Sequence, residues 1–277
     1  MRIDGKKLQL ELLKNLKKEI EILKQKGITP GIGIVTLGDE ETWEAYVGQK
    51  IKLAKELGIT VKLINLRPKT TEEVIQTITG LNSDKTISGL IVQRPFPIHI
   101  DTKRIIQSVS KDKDIDGFRD DSLFDVPVFL AVMHLIRHAV DLPGETKLQN
   151  RLSNQSIVVV GKGETAGKPT IDGLKRMKII PSIIDSKTGD KEQIFEKADL
   201  IVSATGKENS IPISILKKNC ILIGVGLHRN TGQLRGDFDE NEAELRGLTY
   251  SPSPGGVGPL NLYYLFKNLV IATKKRI

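Results

Sequence analysis

The sequence has 277 residues, enough for one large domain or two of ordinary size, and its 39% apolar and 27% charged content is that of a globular chain, not a disordered or fibrous one. Cys220 is the only cysteine, which excludes an intrachain disulfide framework and a Cys-x-x-Cys site, and the longest apolar stretch, around residues 126–136 with His134 inside it, is far below the ~18 residues that span a bilayer. Lysine and arginine exceed aspartate and glutamate by 42 to 34, which favours anionic ligands, whereas 4% aromatic content without basic–aromatic interleaving argues against nucleic acid.

The N-terminus, MRIDGKKLQL, places Asp4 and Gly5 where an export signal needs an apolar core, so a cytoplasmic chain is expected. Residues 6–26 carry Leu8, Leu12, Leu13, Leu16, Ile20 and Leu23 at three- and four-residue steps, the spacing of an amphipathic helix. GIGIVTLG (31–38) predicts a strand, followed by a helix from about Glu41 to Leu57 that Gly58 stops, and a second strand at VKLINL (61–66). TEEVIQTITGLN (71–82) continues as a helix, SGLIVQ (88–93) as an apolar strand and IDTKRIIQSVS (100–110) as another helix. The polar DLPGETKLQNRLSNQ stretch (141–155) has turn signals and little apolar periodicity, so a domain boundary is expected near it. A second series follows, with strands at SIVVVG (156–161), SIID (182–185), LIVSAT (200–205) and ILIGVG (221–226), a helix near 166–178, and a last helix from about Pro259. The fold class is therefore α/β, with two parallel-sheet domains.

In open parallel sheets ligands gather outside the carboxyl ends of the strands, which singles out the loops at 94–98, 161–168 and 251–259. In GKGETAG (161–167), Gly161 and Gly163 allow a tight turn and close backbone approach, and the helix that follows offers free N–H groups to a phosphate; a plain strand–helix turn is the alternative. Pro169 stands where a P-loop has Ser or Thr, so this is not a P-loop. Asp185, 24 residues after Gly161, ends the next strand where an adenosine ribose would be read. It would favour NAD, whereas Ser186 and Lys187 would receive a 2′-phosphate and favour NADP. Tyr46 and Lys50, four residues apart, share one helix face; a partly buried lysine has a lowered pKa and can shuttle protons, although a surface lysine beside a core tyrosine has the same spacing. Gln93 supplies a donor and an acceptor at a strand end, and Asp116 in KDIDG (113–117) is either a ligand for an amino-bearing heterocycle or a turn cap. In SPSPGGVGP (251–259), six of nine residues are Pro or Gly, a loop stiff enough to hold a shape and bare enough to approach a ligand. His134 and His138 have metal-binding spacing, but Leu135 stands where a metalloprotease helix has Glu and no third ligand is evident, so no metal is expected.

Taken in chain order, GDEETWEAYVGQK, SGLIVQRPFP, KDIDGF, VVVGKGETAGKP, SATGK and SPSPGGVGPL are similar to the motifs of the bifunctional methylenetetrahydrofolate dehydrogenase and methenyltetrahydrofolate cyclohydrolase family, over almost the whole chain. The resemblance implies a folate-binding catalytic domain at 1–126 completed by the C-terminal helix 259–277, a Rossmann-like NAD(P)-binding domain at 127–258, and a ligand cleft between them. It implies oxidation of 5,10-methylenetetrahydrofolate with NADP, or NAD, followed by hydrolysis of the methenyl product to 10-formyltetrahydrofolate, with tetrahydrofolate as the carrier. Carried over by position, Lys50 would be the cyclohydrolase acid/base, Tyr46 would stack on the folate, Gln93 would tune Lys50, and Asp116 would hold the pterin. Pro254, Gly255 and Gly256 would line the folate side, and Gly161, Lys162, Gly163, Ser186, Lys187, Ala204, Thr205 and Gly206 would lie near the dinucleotide. A homodimer is implied by the resemblance alone.

The chain also departs from the family pattern. Val126-Pro127-Val128-Phe129 stands where the family has Pro-Cys-Thr-Pro, Lys162 and Gly163 replace Arg-Ser, Asp185 replaces His, Gly224 replaces Asp, and Trp43 replaces Ser. All but Trp43 fall on the dinucleotide half, which makes a cyclohydrolase with weak or absent dehydrogenase activity the alternative within this chemistry. A non-catalytic dinucleotide- or nucleic-acid-binding regulator is an alternative of another class, and it leaves Tyr46, Lys50 and the Pro/Gly loop without a role.

Overall fold

The computed structural model describes residues 1–39, 44–68, 70–142, 145–230 and 232–276. The chain separates into two compact units: a first made of Glu11–Pro127 with Leu262–Ile277, and a second made of Met1–Leu10 with Val128–Asn261.

The first unit contains most of α1 (Gly5–Gln25), then β1 (Gly31–Leu37), α2 (Glu44–Leu57), β2 (Thr60–Leu66), α3 (Thr71–Ser83), β3 (Gly89–Val92) and α4 (Thr102–Ser108), and it is completed by the C-terminal helix. Thr70 caps α3 by accepting from the Glu73 amide at 3.3 Å, and Asp101 caps α4 at Arg104 N at 3.0 Å, which fixes where both helices begin. The start of α2 expected at Glu41, together with Trp43, lies outside the described residues. The sheet is parallel in the order β2-β1-β3, with Gly31 opposite Thr60 and Ile32 opposite Gly89. β1 is buried along its whole length because helices cover both of its faces. Ile32 and Ile34 pack with Leu16, Ile20 and Val47, whereas Val35 and Leu37 point the other way, onto Val74, Ile78 and Ile105. The chain adds β2 on one side of β1 and β3 on the other, so its direction reverses between β1 and β3. That is a switch point of the kind that gathers ligands.

The second unit runs α5 (Pro127–Val140), α6 (Glu145–Leu152), β4 (Ile157–Val160), α7 (Gly167–Arg176), β5 (Ser182–Ile184), α8 (Lys191–Lys197), β6 (Leu200–Ser203), β7 (Ile221–Gly224), β8 (His228–Asn230), β9 (Gln233–Arg235), α9 (Glu240–Leu245) and β10 (Thr249–Ser251), before α10 (Val257–Lys274) carries the chain back to the first unit. Its five-stranded parallel sheet has the order β10-β7-β6-β4-β5, a doubly wound arrangement whose switch point lies between β4 and β6. The division falls at Pro127/Val128 and not near 141–155, which lies inside this unit because Leu148 and Leu152, four residues apart and fully buried, seat α6. Met1–Leu10 group with this unit rather than with the first domain, because they lengthen its sheet. The Met1 ammonium donates to Leu248 O at 2.5 Å, Ile3 N donates to Tyr250 O at 2.8 Å, and Tyr250 N donates to Met1 O at 2.9 Å. Among the described residues no helix is long and apolar enough to cross a membrane.

Candidate active site

In the first unit the two sides of the switch point meet in one side-chain contact. Gln93 N donates to Val35 O at 2.8 Å, extending the β1–β3 ladder, so the Gln93 side chain starts from a fixed place. Lys50, on α2, donates through Nζ to Gln93 Oε1 at 2.6 Å, and Gln93 Nε2 donates to Arg94 O at 2.7 Å. With both amide atoms engaged, Gln93 presents oxygen, not nitrogen, to the lysine. Burial lowers the Lys50 pKa below the ordinary lysine range; the Asp116 carboxylate opposes that shift and the Arg94 guanidinium adds to it. Such an amine gives up and takes back a proton more readily than an exposed lysine. Tyr46, one turn earlier on the same helix, is 60% exposed.

Asp116 sits on a segment clamped from three sides. Leu90 N donates to Lys113 O at 2.7 Å, which ties the segment to β3. The buried Lys113 ammonium donates to the carbonyls of Leu81 (3.0 Å), Asn82 (2.6 Å) and Asp84 (2.8 Å) where α3 ends, sharing Leu81 O with the Asp84 amide and Asp84 O with the Ile87 amide. Asn268 of α10 donates to Ile115 O at 2.9 Å and Asp125 O at 3.1 Å, closing the far side. Behind Asp116, Asp114 is buried and accepts from Arg119 N at 3.0 Å; burial, with the Asp116 charge adding, pushes its carboxyl up to about 6. A cavity of about 20 Å³, enough for roughly one water, is bordered by Val92, Arg94, Asp114, Asp116 and Phe118, and the Arg94 guanidinium lies 3.6 Å over the Phe118 ring.

In the second unit the loops after β4, β5 and β6 surround the other switch point. Gly161 N donates to Ile184 O and Ala204 N to Val160 O, each at 2.8 Å, so the three strand ends are stitched together. Gly161 has φ +91°, and a Cβ there would stand 2.6 Å from Ala204 O, so only glycine fits. Gly163 has nothing within 4 Å of its Cβ position among the described residues, and Ala166 makes no side-chain cap at the start of α7. The open loop fits a dinucleotide pyrophosphate, although of the first-turn amides of α7 Lys168 N already donates to Gly163 O at 2.9 Å and Pro169 has none, which leaves Gly167 N to face a ligand. Lys162 Nζ lies 2.6 Å from Asp185 Oδ2, and Asp185 Oδ1 also accepts from Lys187 N at 2.8 Å and Thr188 Oγ1 at 3.2 Å. The Lys162 ammonium first, then the Lys187 amide, hold the Asp185 carboxyl down at about 2. Ser186 and Lys187 are exposed. Ala204, Thr205 and Gly206 follow β6, with Thr205 Oγ1 2.9 Å from Ser210 Oγ. Pro254, Gly255 and Gly256 belong to this unit too, where Lys6 N donates to Gly255 O at 3.1 Å and Gly256 N to Pro252 O at 2.7 Å.

The structure thus joins Lys50 with Gln93, Gly161 with Ala204, and Lys162 with Asp185. Sequence reasoning missed Lys113, Asp114 and Asn268. Asn268 carried a signal, a lone amide among the apolar residues of YLFKNLVIA (264–272). Lys113 carried none, because its buried position follows from where α3 ends.

A buried lysine at the switch point of one unit's parallel sheet, and a glycine loop at the switch point of the other unit's doubly wound sheet, mark a two-unit α/β enzyme of the dinucleotide-dependent class. Residues 3–116 match the catalytic domain of tetrahydrofolate dehydrogenase/cyclohydrolase, and residues 133–277 match its NAD(P)-binding domain. The chain belongs to this family. It is 35% identical to the bifunctional protein FolD of Bacillus pumilus over 285 residues, covering 99% of this chain and 98% of the relative. Among solved structures, the bifunctional FolD of Campylobacter jejuni superposes with a TM-score of 0.90 at 30% identity, covering 100% of this chain and 99% of that one. The Trypanosoma brucei enzyme, complexed with NADP cofactor and inhibitor, superposes with a TM-score of 0.89 at 26% identity, covering 100% and 98%.

Proposed function

We propose that the chain oxidises 5,10-methylenetetrahydrofolate to the 5,10-methenyl form with NADP and hydrolyses that product to 10-formyltetrahydrofolate. The observation that carries the reading is the Lys50–Gln93 contact of 2.6 Å at the carboxyl end of β3, with the lysine pKa lowered by burial. When bound, NADP supplies the acceptor for the hydride that leaves the methylene carbon. Lys50 serves the second reaction: its amine takes one proton as water adds to the methenyl carbon and returns it to the ring nitrogen as the carbon–nitrogen bond opens, while the remaining hydroxyl proton leaves to solvent as the formyl carbonyl forms. Gln93 holds Lys50 in place through Oε1, Asp116 receives the amino-bearing edge of the pterin, and Tyr46 offers an exposed ring for stacking. Pro254, Gly255 and Gly256 complete the folate side, and the loops at Gly161, Lys162, Gly163, Ser186, Lys187, Ala204, Thr205 and Gly206 border the dinucleotide. The cytoplasm and a homodimer are part of the same reading, supported by family membership.

Lys50→Met is expected to abolish methenyl hydrolysis while hydride transfer persists in part, and Asp116→Ala to weaken folate binding. A Lys50→Met enzyme that hydrolyses methenyltetrahydrofolate at the wild-type rate would overturn the assignment. Reduction of NADP and NAD in the presence of methylenetetrahydrofolate, followed at the nicotinamide absorbance, separates the bifunctional enzyme from a cyclohydrolase without dehydrogenase activity.

A further inference from the structure

Asp237 lies in the loop between β9 and α9, outside every motif discussed so far, and is fully buried. Its Oδ2 accepts from Ser203 Oγ at 2.6 Å and Thr205 N at 2.8 Å, and its Oδ1 accepts from Lys207 N at 3.1 Å. Its backbone oxygen accepts from Ser210 N at 2.8 Å. One carboxylate therefore holds the last residue of β6 and two amides of the loop that follows. The loop after β7 leaves room for it: a Cβ on Gly226 would overlap the carboxylate, and Gly226 N is drawn to Ser203 O at 3.0 Å. Left without this acceptor, the half-buried Thr205 amide would lose its bond to the carboxylate and the Lys207 amide would keep only Thr205 Oγ1, at 3.1 Å, so the 204–207 loop would relax toward water.

We propose that Asp237 is a positioning residue for the dinucleotide: it sets the shape of the 204–207 loop beside the β4–β6 switch point, so dinucleotide binding and hydride transfer depend on it while methenyl hydrolysis does not. This rests on the reading that Ala204, Thr205 and Gly206 border the dinucleotide. An amide in place of the carboxylate keeps the shape but turns an NH₂ toward N–H donors, which makes Asp237→Asn the sharpest perturbation.

The test uses the full-length enzyme, with NADPH binding followed by its own fluorescence and both rates measured. Asp237→Asn is expected to raise the NADPH Kd and the dehydrogenase KM for NADP by ~10-fold, the worth of one charge-assisted hydrogen bond, with cyclohydrolase kcat and folate KM within about twofold of wild type. Ser203→Ala, which removes one donor and keeps the acceptor, is expected to raise the Kd by about threefold. An unchanged NADPH Kd in Asp237→Asn, or both activities falling together with the folded fraction, overturns the proposal. If Asp237→Asn does not fold, Ser203→Ala decides by the same criterion. Hydrogen exchange of the 204–207 amides in the wild type separates the two levels. Protection that NADPH does not alter sinks the reading of the loop itself, whereas altered protection with an unchanged variant Kd sinks only the role of Asp237.

Discussion

Gly161→Ala probes how tightly the loop after β4 is held against β6. At φ +91° an alanine enters a backbone region that costs a side chain about 1–2 kcal/mol. Its Cβ would stand 2.6 Å from Ala204 O, 2.9 Å from Ala204 C and 3.3 Å from Thr205 N, where ordinary contact begins at 3.4 Å, so the two strand ends must part by roughly 0.8 Å. All three atoms are backbone, and none can rotate aside. Forced overpacking of this kind costs about 1–3 kcal/mol, so the variant is expected to lose about 2–5 kcal/mol in urea unfolding. The same displacement moves Ala204, Thr205 and Gly206, and a misplacement near 1 Å is worth ~10²-fold in rate, so the dehydrogenase should fall by one to two orders of magnitude. Gly163→Ala is the control: with nothing within 4 Å of its Cβ among the described residues, its stability should stay within about 0.5 kcal/mol of wild type. A Gly161→Ala enzyme with the wild-type unfolding midpoint and wild-type NADPH affinity would refute the reasoning.

Asp185→Asn removes the charge that pairs with Lys162 and leaves that cation free for a 2′-phosphate, so the ratio of NADP to NAD affinity should rise by about two- to fivefold, the range of one exposed ion pair. Fluorescence titration with the two reduced cofactors measures it, and an unchanged ratio would place the adenosine ribose elsewhere. Because Asp114 titrates near about 6 in the fold against 3.8 when exposed, its raised pKa stabilises the chain below the exposed value, and that contribution is lost as pH rises through the folded one. Asp114→Asn should flatten the dependence of urea stability between pH 4 and 6, a difference on the order of 3 kcal/mol; a slope identical to wild type would contradict the burial argument. Lys50 works in the opposite sense from a paired lysine: its pKa is lowered by folding, so stability is gained as pH rises from the folded value toward 10.5. Lys50→Met should abolish that gain in melts at pH 7 and pH 9 while leaving the fold at least as stable at pH 7; a variant that keeps the wild-type pH dependence would mean the ammonium is not buried.

The alternation of strand and helix was legible because the buried strands are short apolar runs rich in β-branched residues, some of them closed by glycine, as in Gly31–Leu37 before Gly38 and Ile157–Val160 before Gly161. The closeness of Lys50 and Gln93 was not legible from spacing, since 43 residues separate them and only the β1–β3 pairing brings them together. The β8–β9 hairpin and β10 escaped notice because HRN, QLR and TYS are mostly polar, whereas β5, equally short, carries two adjacent isoleucines. α6 was hidden by a polar surface that outnumbers its two buried leucines. Asp237 was invisible for a different reason. Its sequence surroundings, Gly236 and Phe238, are those of an ordinary turn, and its partners lie about thirty residues upstream.

At four of the described positions where the chain departs from the family pattern, the structure pairs or packs what stands there; Gly163 is the open one. Lys162 and Asp185, two separate departures, are each other's ion-pair partner at 2.6 Å. Gly224, in place of an aspartate, leaves no room for one: its Cβ would come 2.5 Å from Ser253 Oγ and 3.2 Å from Phe238 Cε1, and its amide donates to Ser251 Oγ at 2.9 Å. Phe129, in the segment without Pro-Cys-Thr-Pro, is buried where a Cβ on Gly173 would overlap its ring, so it packs the helix that opens the glycine loop. A site losing its function would accumulate substitutions independently of one another, with unpaired charge or empty space beside them. Here Lys162, Asp185, Gly224 and Phe129 are paired or packed, Gly163 alone of the described substitutions leaves open space, and the glycine that the loop after β4 requires is in place. That pattern favours a dinucleotide loop that is rebuilt and still used, and with it the bifunctional enzyme over a cyclohydrolase alone.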